Sequence, residues 1–144
     1  MSTREIPILF SAPMIRAILA ATKTQTRRET KGVKPRWSVG DLLWVKETFR
    51  QSGNTTIYRA DGGDEAKHFR PWRPSIFMPR TLSRISLRVL DVRCEPLWSI
   101  SEADARAEGV ASVAEYRALW EEINGRESWE GAPTVWVISF ERVS

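Results

Sequence analysis

The clearest strand pattern in the chain lies between Ile85 and Cys94, and it changes phase halfway along. Apolar side chains recur at every second position in one phase up to residue 89 and in the other phase from residue 90, namely Ile85, Leu87 and Val89, then Leu90, Val92 and Cys94. A period of two is typical of a β-strand with one buried face. The change of phase predicts a β-bulge near Val89 or Leu90, and bulges bend strands in barrels. We therefore expect this segment to run through a curved sheet.

Helical patterns occur on both sides of this strand. The predicted helices occupy Ser11–Ala21, the stretch from Ser101 to Gly109 and the stretch from Ser112 to Gly125. Serine is a favoured N-cap, and Pro13 suits the first turn of the first helix. Glycine commonly follows the end of a helix, as at the last two. The third helix is expected to bury an apolar stripe made of Tyr116, Leu119, Trp120 and Ile123.

The remaining patterns predict three further strands and one long connection. The strands are Leu42–Phe49, Thr56–Ala60 and Thr134–Val143. Both faces of Leu42–Phe49 are largely apolar, so this strand is expected in the interior of a sheet. Residues 61–81 are expected to be a long loop within an insertion at about 50–81, and long loops in compact domains are often functional. Because strands and helices do not alternate, we predict one α+β domain over residues 1–144, a mixed β-barrel with flanking helices.

Cysteine and histidine are too scarce for a disulfide framework or a zinc site. The chain has one cysteine, Cys94, and one histidine, His68. A single cysteine is compatible with a reducing compartment, and two soft ligands do not complete a structural zinc site. We expect a cytoplasmic protein without a metal or other cofactor. Neither a signal peptide nor a membrane span is predicted, since the apolar runs are far shorter than about 20 residues.

The charges of the chain are distributed unevenly along the sequence. Residues 1–100 carry an excess of nine positive charges, whereas residues 101–144 carry an excess of five negative charges. Such a separation predicts a positive face that attracts phosphates, as in proteins that bind nucleic acids or nucleotides. A solvated basic surface without a ligand would give the same composition, so both interpretations stay open at this point.

A polar, basic segment directly follows the first predicted helix. Its residues 23–28 read Lys-Thr-Gln-Thr-Arg-Arg. In a tight turn, Lys23 and Thr26 would point into one cleft, whereas in an extended segment they would face opposite ways, because side chains alternate along a strand. The spacing alone leaves both arrangements possible.

Four segments together resemble the signature of ASCH-domain proteins. They are Ile18–Arg28, Gly40–Val45, Ile100–Gly109 and Val135–Val143, which span most of the chain outside the insertion at about 50–81. The resemblance implies a PUA-like β-barrel, a fold associated with RNA. The combined pattern is similar to a phage or prophage version of the domain. One branch of the family consists of small bacterial N4-acetylcytidine amidohydrolases.

The resemblance to that branch implies a catalytic set made of a lysine, a threonine and a glutamate. These roles would fall on Lys23, Thr26 and Glu108, and the implied reaction removes the acyl group from N4-acetylcytidine or a related N4-acylated cytidine. The family often has glycine at the end of the first helix, where this chain has Ala21, and a basic residue at the position of Thr22. Because alanine resists the left-handed backbone that glycine tolerates, we expect a differently shaped turn here.

Six further residues are candidates for substrate binding, namely Arg27, Arg28, Trp44, Glu47, Tyr58 and Trp72. An arginine can hold a phosphate or a base carbonyl, and a tryptophan can stack on a base. Glu47 is a candidate acceptor for the exocyclic amine of a base, and Tyr58 is expected to reach the cleft. For Trp44, packing in the core is the competing role.

Two other functions are compatible with the same residues. The chain would then be a non-catalytic module that binds RNA or a modified nucleobase, or an ASCH protein that cleaves RNA. The partner is accordingly a modified cytidine nucleoside or RNA, and the sequence does not determine the oligomeric state.

Overall fold

The computed structural model of the chain describes residues 4–64 and 70–144. The predicted insertion at about 50–81 is therefore described only in part, and His68 lies outside the described residues. The strands are β1 Glu5–Leu9, β2 Gln25–Glu29, β3 Leu42–Lys46, β4 Phe49–Ser52, β5 Thr55–Tyr58, β6 Ser86–Pro96 and β7 Thr134–Arg142. The helices are α1 Ala12–Leu19, α2 Glu102–Ala107, α3 Val113–Asn124 and α4 Arg126–Glu130. None of these helices has the length and apolar character needed to cross a membrane.

Five of the strands form one mixed sheet in the order β1-β3-β6-β7-β2, and β4 and β5 form a separate hairpin. β1 runs parallel to β3, and the other neighbours in the sheet are antiparallel. β3 lies inside the sheet, as predicted from its two apolar faces. β1 and β2 are the outer strands, and neither was predicted. β2 carries the candidate residues Thr26, Arg27 and Arg28, and as an outer strand it leaves one of its edges open.

The bulge predicted in the long strand is present in β6. Val89 pairs with Phe140 and Asp91 with Ser139, so Leu90 is the extra residue. The prediction from the change of phase is therefore confirmed. Leu90 and Cys94 are nevertheless exposed, so the second half of β6 buries its apolar side chains less completely than the first half does.

The core consists of two apolar clusters that meet at β7. Ile138 and Phe140 belong to one cluster, and Val135 and Val137 belong to the other. Because neighbouring side chains of a strand point to opposite faces, the two clusters lie on the two sides of the sheet. The first cluster contains α1 and the inner residues of β3 and β6, and the second contains the buried faces of α2, α3 and α4.

The C-terminal helices follow the predicted caps, with two differences. Ser101 forms a capping box with Asp104 at the start of α2, and Ser112 accepts a hydrogen bond from Glu115 N at the start of α3. The prediction that Ile123 is buried was wrong, since its side chain is 60% exposed. Tyr116 and Trp120 already cover the second core cluster, and Ile123 borders an open cleft instead. The short helix α4 was not predicted.

Candidate active-site cleft

A cleft of about 1080 Å³ runs along the open edge of β2. One wall comes from the end of β1 and the start of α1, and the opposite wall comes from α3. The lining residues used below are Phe10, Lys23, Thr26, Arg27, Arg28, Ser75, Glu108, Tyr116, Leu119 and Ile123. The catalytic residues implied by the resemblance thus border one common space, together with two of the six binding candidates.

The end of α1 turns the chain sharply before Lys23. Ala21 has a φ of 61°, which is a left-handed backbone, and the amides of Thr22 and Lys23 both donate to Ala17 O at 2.9 and 3.1 Å. Ala21 thus adopts the left-handed conformation that glycine favours, although alanine resists it. An alanine in this conformation carries backbone strain of about 1–2 kcal/mol.

Lys23 and Glu108 form a buried contact between the ends of α1 and α2. Lys23 Nζ donates to the backbone oxygen of Glu108 at 3.0 Å and lies 3.6 Å from its carboxylate Oε1. Lys23 is 4% exposed and Glu108 is 2% exposed. Glu108 Oε2 has no hydrogen-bond partner among residues 4–64 and 70–144. Gln25 Nε2 likewise has no hydrogen-bond partner at ordinary distance in this part of the chain, although the Gln25 side chain acts to lower the pKa of Glu108. A buried carboxyl oxygen without a close partner is costly, so a hydrogen bond from a ligand would stabilise it.

Gly109 permits this close approach. Its φ of 96° is unfavourable for any other residue, and a Cβ atom at this position would lie 2.9 Å from Ala17 Cβ and 3.2 Å from Lys23 Cβ. Carbon atoms make favourable contacts at about 3.5–4.0 Å. The chain can therefore pack the Glu108 end of α2 against the Lys23 turn only with a glycine at this position.

Burial shifts the pKa values of the two groups in opposite directions. Desolvation lowers the pKa of Lys23, and the nearby positive charge of Arg28 lowers it further, although the attraction of Glu108 opposes both effects. Desolvation likewise raises the pKa of Glu108, against the attraction of Lys23 and Arg27. Both shifts favour the uncharged forms, because a low-polarity environment penalises each charge. A neutral lysine amine is able to accept a proton at neutral pH.

Thr26 borders the cleft from within β2. The segment is extended from Gln25 onward, so the alternative of one tight turn over residues 23–26 does not hold. Lys23 and Thr26 nevertheless line the same cleft, because Lys23 precedes the strand and β2 is an outer strand of the sheet. In the described part of the chain, the Thr26 hydroxyl makes no hydrogen bond, so its proton and lone pairs are available to a ligand.

Arg27 and Arg28 line the cleft but are held differently. Arg27 Nη2 contacts Glu95 Oε1 at 2.5 Å and Asp104 Oδ2 at 3.3 Å, and its side chain is fully buried. Arg28 Nη2 donates to Leu9 O at 2.8 Å, and its guanidinium lies 5.1 Å from the centre of the Phe10 ring. Two carboxylates compensate the charge of Arg27, whereas Arg28 has no ion-pair partner among the described residues. Arg28 is therefore better suited to hold an anionic or polar ligand.

Glu47 and Tyr58 are not among the residues that line the cleft. Glu47 is buried and accepts two hydrogen bonds from Arg84, at 3.0 and 2.9 Å. The guanidinium of Arg84 also lies 4.1 Å from the centre of the Tyr58 ring, and Tyr58 Oη donates to Leu82 O. These contacts join the β4–β5 region to the segment before β6.

The two tryptophans proposed as stacking residues also lie outside the lining of the cleft. Trp44 is half-buried in β3, with Lys46 Nζ at 5.4 Å and the Arg80 guanidinium at 5.7 Å from its ring centre. Trp72 Nε1 donates to Asp64, and the guanidinium of Arg50 lies 4.1 Å from the Trp72 ring. Both rings therefore have a cationic side chain within the distance of a cation–π contact.

Several cleft residues were not predicted as site residues. Phe10 is buried, and its ring centre lies 5.7 Å from Lys23 Nζ, so it contributes to the desolvation of the amine. Tyr116, Leu119 and Ile123 form an apolar wall on α3. The sequence carries only an apolar helical stripe at these positions, a signal that core packing would also produce. Among the described residues, no cluster of three or more His, Cys, Asp or Glu side chains is arranged to hold a metal ion.

Solved structures with the same fold exist at low sequence identity. The ASCH domain from Lactobacillus crispatus JV V101 gives a TM-score of 0.58 at 16% identity, over 96% of this chain and 79% of that one. The hypothetical protein PH0355 gives a TM-score of 0.57 at 13% identity, over 96% of this chain and 99% of that one. Protein EF3133 from Enterococcus faecalis V583 gives a TM-score of 0.54 at 14% identity, over 99% of this chain and 82% of that one.

No family model matches the chain, and no curated protein matches it in sequence. At these identities the solved structures establish the fold, and the activity has to be argued from the chemistry of the cleft. The mixed α+β architecture predicted from the order of the elements is confirmed. The chain therefore has the ASCH-domain fold, the PUA-like arrangement that its sequence motifs predicted.

Proposed function

We propose that the protein is an amidohydrolase that removes the acyl group from N4-acetylcytidine or a related N4-acylated cytidine. The observation that carries the proposal is the buried contact between Lys23 and Glu108 in a cleft that Thr26 also lines. The reaction would take place in the cytoplasm and use these side chains without a metal or cofactor.

The proposed role of Lys23 is that of a general base. A lysine with an ordinary pKa of about 10.4 is charged at neutral pH and does not accept a proton. Burial lowers the pKa of Lys23, which shifts the amine towards the neutral form that a general base needs. In the first step this amine takes the proton of Thr26 Oγ1 while the hydroxyl oxygen forms a bond to the acyl carbonyl carbon.

The leaving group is the N4 amine of cytidine. As the tetrahedral intermediate collapses, the carbon–nitrogen bond breaks and the Lys23 ammonium returns its proton to N4, which releases cytidine and leaves an acyl ester on Thr26. Water then attacks the ester, its proton passes to Lys23 and from there to Thr26 Oγ1, and the free carboxylic acid departs. The overall reaction converts the amide and one water molecule into an amine and a carboxylic acid, so atoms and charges balance.

The proposed role of Glu108 is to stabilise the charge that Lys23 carries between these steps. Its carboxylate Oε1 lies 3.6 Å from Nζ, and the backbone oxygen of the same residue fixes the amine at 3.0 Å. When the proton resides on Lys23, the attraction between the ammonium and the Glu108 carboxylate opposes the desolvation that otherwise favours the uncharged forms of both groups. Glu108 is thus a positioning residue as well as an electrostatic one.

A spectrophotometric assay of cytidine release from N4-acetylcytidine tests the proposal. Lys23→Met keeps the length of the side chain and removes the amine, so kcat/KM is expected to fall by about 10²–10⁴-fold, the usual contribution of a general base. Thr26→Ala removes the nucleophile and is expected to reduce turnover to background. The matched controls are Lys34→Met and Thr24→Ala, which alter exposed residues outside the cleft lining. Full activity in Lys23→Met or Thr26→Ala would refute the assignment.

A second function, binding of RNA or a modified nucleobase without turnover, is favoured by one observation. Lys23 and Glu108 are almost completely buried, so little of the pair is exposed to a substrate in the cleft. Under this alternative, wild-type protein would bind N4-acetylcytidine and release it unchanged. Binding by calorimetry together with no cytidine release over a long incubation would select this function over hydrolysis.

A further inference from the structure

Residues 70–84 form a segment whose charges are all positive. They contain four arginines, at positions 70, 73, 80 and 84, and no acidic residue. Arg84 is engaged with Glu47 and Asp61, and Arg80 with Glu5, whereas Arg70 and Arg73 have no acidic partner among the described residues. This segment can therefore attract an anion independently of the catalytic pair.

The segment is anchored to the rest of the fold by backbone hydrogen bonds and a buried side chain. Arg73 N donates to Phe49 O at 2.7 Å, and Phe49 N donates to Arg73 O at 3.3 Å, which ties the segment to the start of β4. Met78 is fully buried behind it. Prolines at positions 71, 74 and 79 restrict the backbone further. The side chains between these anchors are consequently presented in a fixed arrangement.

Two large apolar side chains point outward between these anchors. Ile76 is 60% exposed and Phe77 is 59% exposed, although the adjacent Met78 is buried. The Arg73 guanidinium lies 5.6 Å from the centre of the Phe77 ring. An exposed aromatic ring beside an arginine is the combination that single-strand-binding proteins use to stack a base and contact a phosphate.

This surface continues into the cleft. Ser75 lines the cleft, and the short 3₁₀ turn Ser75–Phe77 packs against β3. On β3, the half-buried Trp44 has Lys46 and Arg80 beside its ring. Aromatic and cationic groups therefore lie on the surface next to Ser75, outside the lining of the cleft but adjacent to it in the chain and through β3.

We propose that Arg73, Phe77 and the neighbouring Trp44–Arg80 pair form a docking platform for a single-stranded polynucleotide, one of whose cytidines enters the cleft. The substrate would then be an N4-acylated cytidine within a strand. This inference rests on the proposed function for the chemistry, but the platform itself is defined by its own residues. A duplex fits less well, because its bases are stacked on each other and leave no face for Phe77.

Fluorescence anisotropy with a labelled 12-nucleotide strand tests the platform. The strand is supplied as RNA and as DNA of the same sequence, and a duplex RNA serves as the comparison. Phe77→Leu keeps an apolar side chain and removes the stacking ring, so the Kd is expected to rise by about fivefold to 150-fold, while Phe77→Trp is expected to retain binding. Arg73→Ala is expected to weaken binding and to reduce the slope of log Kd against log salt by about 0.7.

Matched controls alter similar residues elsewhere. Arg126→Ala removes the same charge from an exposed arginine of α4, and Leu90→Ala removes an exposed apolar side chain in the β6 bulge. Both are expected to bind the strand as wild-type protein does. Wild-type affinity in Phe77→Leu and Arg73→Ala, or equal affinity for the duplex, would overturn the platform. Binding of either single strand supports it, and the difference between RNA and DNA identifies the sugar that is preferred.

Kinetics separate a failure of the platform from a failure of the proposed function. With N4-acetylcytidine placed within the strand, Phe77→Leu is expected to raise KM and leave kcat unchanged, and with the free nucleoside both constants should be unaffected. If neither substrate is hydrolysed but Phe77→Leu still loses strand binding, the hydrolase assignment fails and the platform stands. If the free nucleoside is hydrolysed and Phe77→Leu binds the strand normally, the platform fails and the hydrolase stands.

Discussion

Replacing Gly109 by alanine perturbs the contact between Lys23 and Glu108, on which the proposed catalytic arrangement depends. The residue follows Glu108 and lies against the turn that carries Lys23. Its φ is 96°, and an added Cβ would lie 2.9 Å from Ala17 Cβ and 3.2 Å from Lys23 Cβ. Neither neighbour is the far end of a flexible side chain, since both atoms are Cβ atoms attached to the backbone. The strain can therefore be relieved only by moving α1 or the Lys23 turn.

The cost of Gly109→Ala has two parts. A non-glycine residue in a sparsely populated backbone region costs about 1–3 kcal/mol. Forcing an extra carbon into a packed contact costs about 1–3 kcal/mol more. The free energy of unfolding is thus expected to fall by about 2–6 kcal/mol, and with about 4 °C per kcal/mol the Tm falls by roughly 8–24 °C.

Thermal unfolding followed by circular dichroism measures this change, and Gly125→Ala is the matched control. Gly125 has a φ of 91°, but a Cβ added there would have no atom within 4 Å, so only the backbone cost applies. Ala17→Gly removes the 2.9 Å contact but costs about 0.5–1 kcal/mol as a glycine within α1. The double variant Ala17→Gly/Gly109→Ala should therefore lose less stability than the sum of the two single variants. Equal Tm values for Gly109→Ala and Gly125→Ala would refute the claim that this position is packed against the Lys23 turn.

Two further predictions concern the same turn and its charges. Ala21→Gly relieves the left-handed strain, so it should raise the free energy of unfolding by about 0.5–1 kcal/mol and the Tm with it. Ala20→Gly, at an ordinary helical φ, should lower the Tm. Because the pKa of Lys23 is lower in the folded than in the unfolded chain, unfolding takes up a proton at pH values between the two. Urea titrations from pH 7 to pH 10 should therefore show that the free energy of unfolding of the wild-type protein rises with pH relative to that of Lys23→Met. The same pH dependence in both proteins would contradict a lowered pKa of Lys23.

The sequence predicted the parts of the fold that have strong local patterns. The bulge in β6 follows from the change of phase in its apolar side chains, and the interior position of β3 follows from its two apolar faces. Both patterns are visible in the sequence. β1 was missed because it is a five-residue outer strand with a proline at position 7, and its pairing with β3 is parallel and non-local. β2 was missed because its residues are polar and charged, which is unusual in an inner strand and acceptable at an open edge.

The candidate site was predicted only in part, for physical reasons. Lys23 and Glu108 are 85 positions apart, and no local rule brings them together, so their pairing rested on the resemblance until the structure placed them in contact. Trp44, Glu47, Tyr58 and Trp72 were suggested by side-chain chemistry alone, and the structure engages each of them outside the lining of the cleft. Side-chain type indicates what a residue can bind, but position in the fold decides whether it meets the ligand.

The most direct test of the central claim is to trap the acyl group on the protein. Wild-type protein and Thr24→Ala are mixed with N4-acetylcytidine, quenched within milliseconds and digested, and the peptide that carries residues 23–28 is measured by mass spectrometry. The account predicts one acetyl group on Thr26 that appears before free acetate and is absent from Thr26→Ala. Release of cytidine at the wild-type rate by Thr26→Ala, without any acetylated peptide, would contradict it.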